Sequence, residues 1–133
     1  IPALSLAEKI TLNYSVSELI DNFKQYIKLT DEGPRVWIPN QKLSDKDTVC
    51  LQLITAKIGH ITGILESPSL NLQDIHNSTN LKQKSISSRL SEVTKSGYVE
   101  REHTEQGAKY KITTQGIHWL SSTLEKKLGS VKS

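Results

Sequence analysis

Apolar residues recur at Val49, Leu53, Ile54, Ile58, Ile61 and Leu65. Spacings of three and four lay them along one stripe of a helix. A helix from Ser44 to about Leu65 is predicted, with Ser44 as cap and Asp45 and Asp47 at the positive end of its dipole. Ser67-Pro68-Ser69 ends it. Upstream, Ser15-Val16-Ser17-Glu18 has capping-box spacing and leads into Leu19, Ile20, Phe23, Tyr26 and Ile27, so a helix near 16–28 is expected. Residues 1–12 read as a tail or a short helix. Ile27 to Thr30, the turn-forming Asp31-Glu32-Gly33-Pro34 and Arg35 to Pro39 read as a short hairpin carrying Trp37.

Beyond Pro68 the elements shorten. Leu72 and Ile75 suit a two-turn helix over 72–79, stopped at Asn80, a residue type that tolerates the left-handed conformation. A second helix, about 83–96, turns Ile86, Leu90 and Val93 inward and ends at Gly97. Tyr98 to Glu102 and Lys109 to Thr113 alternate as strands around a polar loop from His103 to Ala108. Thr114 caps a last helix from Gln115 to about Leu128.

At 133 residues the chain has room for one domain with an appendage, which excludes a large multidomain enzyme. The division expected is an N-terminal helix and hairpin extension over 1–43, a main domain over 44–128 and a tail over 129–133. Its 35% hydrophobic content implies a modest core. The absence of methionine implies that residues preceded Ile1. One cysteine, Cys50, excludes an internal disulfide and reads as a buried packing residue. No run approaches the roughly 18 apolar residues of a membrane span. A soluble, cytoplasmic protein without membrane association is expected.

Charge divides unevenly. Residues 1–71 hold seven Lys or Arg against eight Asp or Glu, whereas residues 72–133 hold ten against six, so the +3 of the whole resides in the second half. Two short helices joined at Asn80-Leu81 and followed at once by a polar-tipped hairpin make a helix-turn-helix with a wing.

At these residues a family resemblance enters. The segments Leu70 to Ile75, Thr79-Asn80-Leu81, Ser85 to Val93 and Gly97 to Arg101 resemble the winged helix-turn-helix of prokaryotic transcription regulators, of archaeal or plasmid-borne type. Tyr110 to Thr113, with Gly116 following, is similar to the strand and helix start that close the wing. The resemblance implies an α+β, mainly α fold: a winged helix-turn-helix with an additional N-terminal helix, a short hairpin and a C-terminal helix. It further implies a transcription regulator bound to double-stranded DNA as a homodimer, nucleoid-associated and without enzymatic activity. Three positions depart from the family pattern. Asn80 stands where Gly is usual and can keep the turn. Lys82 stands where Ser or Thr often caps the recognition helix and cannot accept a backbone hydrogen bond. His76 replaces a small residue and implies a wider helix crossing or a partly exposed site.

With Ile86, Leu90 and Val93 inward, the opposite face of the 83–96 helix carries Lys84, Ser88, Ser91 and Lys95, flanked by Lys82, Gln83, Ser85, Ser87 and Arg89. Short hydroxyls admit a close approach to the major-groove floor, and the cations reach phosphates or guanine edges. Gln83 and Lys84 are the first candidates for base contact. Arg101, Lys109 and Lys111 line the wing stem, with Gln106 at its tip, in reach of backbone or minor groove. The acids Glu100, Glu102 and Glu105 leave open a protein–protein adaptor of the same fold, or the DNA-binding end of a larger replication or partition protein.

Along the last helix Ile117, Leu120, Leu124 and Leu128 form a stripe, with Trp119 beside it, that is expected to be the interface of a two-fold dimer, with packing within the chain as the alternative. Other chemistry lacks support. His60, His76, His103 and His118 fall in separate elements without metal-ligand spacing. There is no glycine-rich phosphate loop and no catalytic triad spacing, so no catalytic residues, metal or cofactor are expected. With 5% aromatic residues, single-strand binding by base stacking is disfavoured.

Overall fold

Ser44 starts the longest helix with reciprocal bonds: its Oγ accepts from the Asp47 N–H at 3.1 Å, and Asp47 Oδ2 accepts from the Ser44 N–H at 3.1 Å. This closes two of the donors that a helix start leaves open. The computed structural model describes residues 43–128, Asp21, Phe23 and the strands 27–30 and 33–36. Helix α1 (Asp45–Ile61) is buried well beyond the predicted stripe, since Cys50, Leu51, Gln52, Thr55 and Ala56 join Val49, Leu53, Ile54 and Ile58 out of solvent. It is the axis of the domain, surrounded rather than laid on a surface.

The helix stops four residues short of the expected Leu65. Thr62 caps it, Gly63 turns with φ +83°, and the amides of Ile64 and Leu65 fold back onto the Gly59 carbonyl at 2.8 and 3.0 Å. Ile61, expected inside, is consequently 38% exposed, and Leu65 is only half-buried.

Helix α2 (Leu72–Thr79) opens on a second capping box, Asn71 with Asp74, and buries Ile75. It ends at Asn80, whose φ of 61° is the left-handed turn expected of it. Helix α3 (Gln83–Lys95) follows after two residues and buries Ile86, Leu90 and Val93. As expected, Lys82 precedes it with no side-chain cap bond. His76 does something the sequence did not suggest: its half-buried ring donates from Nδ1 to the Leu81 carbonyl at 2.6 Å, tying the turn from inside. Since a carbonyl only accepts, Nδ1 carries the proton.

After Gly97 come β3 (Val99–Thr104) and β4 (Gly107–Ile112), antiparallel, with Val99 opposite Ile112 and Thr104 opposite Gly107. The hairpin is tighter than the expected His103 to Ala108 loop, because only Glu105 and Gln106 lie between the strands. Leu70 adds a third rung, exchanging backbone bonds with Tyr110 at 2.9 and 2.8 Å. Helix α4 (Thr114–Leu128) is capped one residue earlier than expected, by Thr113, whose Oγ1 accepts from the Gly116 N–H at 3.0 Å.

At the other end of the sequence, β1 (Ile27–Thr30) pairs antiparallel with β2 (Gly33–Val36). A strand beginning at Ile27 corrects the helix expected to reach residue 28. Asp21 and Phe23 are helical, and Phe23 is fully buried in the same core as α1. The rest of that expected helix, residues 1–12, Trp37 and the 129–133 tail lie outside the described residues. The fold is α+β and mainly helical, and its element order is compatible with a winged-helix-like arrangement carrying an added N-terminal hairpin.

Candidate nucleic-acid interface

Helix α3 is placed by its inner residues. With Ile86, Leu90 and Val93 in the core, Lys84, Ser88, Ser91 and Lys95 are carried to the far side, where all four are exposed. Lys82, Gln83 and Ser87 are exposed alongside. This face combines three lysines with short hydroxyl side chains and has no acid on it.

The flank toward α1 is different. Ser85 donates to Asp45 Oδ2 at 2.6 Å. Arg89 is half-buried, with one guanidinium nitrogen 3.5 Å from Glu92 Oε1, and the other oxygen of Glu92 lies 3.0 Å from Lys46 Nζ. The hydrogen bond from Lys46 foremost, and then the charges of Lys46 and Arg89, hold the Glu92 carboxyl below its ordinary value. Lys46 also sits 5.0 Å over the ring of Trp119, which stacks on Tyr98 at 4.7 Å and 9°. Ser85 and Arg89, expected on the contact face, are therefore committed to partners within the chain. Lys46 and Asp45 are participants that sequence reasoning read only as part of a helix start.

On the α2 side, Gln83 donates to Gln73 Oε1 at 3.1 Å and Gln73 donates to Asn77 Oδ1 at 2.9 Å. This chain of amides orients Gln83 at the start of α3. The i,i+4 spacing of Gln73 and Asn77 is visible in the sequence; the bond from Gln83 depends on the turn.

The wing is electrically neutral. Glu100 faces Lys111 across the strands, with 3.9 Å between Oε2 and Nζ, and Glu102 faces Lys109. Glu102 also accepts from Ser69 Oγ at 2.5 Å. Lys109 and Lys111 are half-buried on that face, away from Arg101, which stands opposite Tyr110 and is exposed. Gln106 is exposed at the tip, its N–H donating to Thr104 Oγ1 at 3.2 Å. Lys84, Ser88, Ser91 and Lys95 thus share the outer face of α3, with Lys82, Gln83 and Ser87 exposed beside it, while Arg101 and Gln106 are exposed on the wing and Lys109 and Lys111 stand apart.

The apolar stripe of α4 packs at home. Ile117, Leu120 and Leu124 are 2%, 0% and 1% exposed within the single chain, which corrects their assignment to an interface between two copies. The side chain of Leu128 lies outside the described residues. The end of α4 is instead held to α1 by Lys127, which donates to the buried carboxylate of Asp47. Cys50 is fully buried, and its thiol is pushed up to about 12, first by burial and then by the negative charge of Asp47. Among the described residues no three His, Cys, Asp or Glu side chains gather where they could hold a metal, and no helix is long and apolar enough to cross a membrane. No protein-family model matches the chain, and no curated protein matches it.

Proposed function

We propose that the chain binds double-stranded DNA, with α3 in the major groove, and acts as a sequence-specific transcription regulator. The observation that carries this reading is the outer face of α3. Lys84 and Lys95 stand exposed among Ser87, Ser88 and Ser91 on the second helix of a helix-turn-helix, with Lys82 exposed just before it, while the one acid of that helix, Glu92, is occupied by Lys46 and Arg89. Cations there are free for phosphates, and the short side chains between them allow the helix to lie deep. Arg101 is the wing's contribution, directed at the backbone or minor groove. In this reading the protein works on the nucleoid and needs no catalytic group.

The neutral wing favours a second reading, a protein-binding adaptor of the same fold, because its balanced charges suit a protein surface better than a polyanion. Fluorescence anisotropy with duplex DNA separates the two. Binding that falls steeply with salt, and that Lys84→Ala/Lys95→Ala weakens at every sequence tried, is the expected result. Equal binding by wild type and double variant removes α3 from the interface.

A further inference from the structure

We propose that the cleft between α1, α2 and β4 is a binding site for a small zwitterion carrying an ammonium and a carboxylate group. The cleft encloses about 400 Å³ and is lined by Gln52 and Ala56 of α1, the 65–70 segment, Asp74, Asn77 and Ser78 of α2 and Lys109 of β4. That volume is of the size that holds small-molecule ligands.

Gln52 is the reason to read it as a site rather than a gap. The residue is 4% exposed, and its amide oxygen is buried without a hydrogen-bond partner. A buried carbonyl left unmatched is destabilising, and a helix that packs apolar residues around it could have carried Leu at this position instead. The residue lines the cleft, so its amide N–H donors can serve a group that enters there.

The charges lining the cleft set the chemistry. Lys109 is half-buried and, with Glu66 and Asp74, takes part in no ion pair among the described residues; its cross-strand neighbour Glu102 is turned to Ser69 instead. One cation and two carboxylates around a single cleft match a ligand with one group of each sign. The carboxylate goes to Lys109 and the ammonium to the Asp74 and Glu66 side, with Gln52 at the floor. Asp74 keeps an oxygen for this, since the bond to the Asn71 amide uses Oδ2 alone. Such a ligand would join the wing to α2 through side chains that do not bond one another. The proposal does not rest on DNA binding, because ligand binding is read directly.

The test titrates the 133-residue chain with ω-amino acids from glycine to 6-aminohexanoate, followed by amide chemical shifts. Saturable shifts at Ser69, Asn77 and Ser78, with one chain length preferred, are expected. Lys109→Gln should weaken that ligand about tenfold, the effect of losing one charge-assisted bond. Gln52→Leu should weaken it too while leaving thermal unfolding unharmed. No saturable shift, equal binding by alkylamines lacking the carboxylate, or full affinity in both variants would each overturn the proposal.

Discussion

Lys46 Nζ of α1 lies 3.0 Å from Glu92 Oε2 of α3, and this contact decides what the acid of that helix can do. Left alone, Glu92 would repel a phosphate. Held by Lys46, with Arg89 on its other oxygen, it becomes part of the joint between the two helices.

The pair makes a prediction about pH. The folded carboxyl is lowered from 4.5, so its contribution is present above that value and is lost as pH falls through the lowered one. An NMR titration should find Glu92 titrating below 4.5 in the wild type and returning upward in Lys46→Met. An unchanged value in that variant would assign the shift to some other cause.

Cys50 shifts in the opposite sense. Its thiol is raised from 9.0 to about 12, so the folded state keeps its proton longer than the unfolded chain does. Stability from this residue is intact below pH 9 and is lost as pH rises toward 12. At about pH 8, near the ordinary thiol range, a thiol reagent should label the native protein no faster than the protein opens. Cys50→Ala should flatten the alkaline decline, and a fast, stoichiometric reaction of the native chain would contradict the burial.

Gly116 shows why a helix glycine can outrank its propensity. Exposed Gly→Ala changes in helices gain about 1 kcal/mol. Here the added Cβ would lie 2.2 Å from the Tyr98 carbonyl oxygen and 2.8 Å from Ile112 Cδ1, and the oxygen belongs to backbone fixed by its bond from the Thr113 amide. The clash should win, with Gly116→Ala losing about 1–3 kcal/mol in urea denaturation. A raised midpoint would show that α4 can move off the Tyr98 turn.

Much of this fold is legible in the sequence because its signals are local. Asn80, Gly97 and the apolar sets of α2 and α3 each mark an element by backbone preference or period, and those elements stand within a residue of expectation. The differences arise where distant residues decide. Gly63 ends α1 early by letting two amides return to Gly59, which exposes Ile61. The stripe of Ile117, Leu120 and Leu124 has the same spacing whether it faces its own core or a twin, and only the packing shows which. For the candidate site, helical periodicity is enough to find Lys84, Ser88 and Lys95. It does not show that Asp45 takes Ser85 or that strand register sets Glu102 against Lys109.

That register carries the last prediction. By charge alone the wing lysines and the helix lysines look equivalent. In the fold, Lys109 and Lys111 face glutamates on adjacent strand positions, whereas Lys82, Lys84 and Lys95 form no ion pair among the described residues. Removing one cation from a phosphate should reduce the slope of log affinity against log salt by about 0.9 for duplex DNA. Lys84→Gln/Lys95→Gln should therefore flatten the slope by about 2, and Lys109→Gln/Lys111→Gln by far less. Arg101→Gln, on the wing's other face, should fall between them with a reduction of about 1. Equal slopes for the two lysine pairs would mean that the wing lysines reach phosphates despite the glutamates opposite them, and the interface would then have to be redrawn around β4.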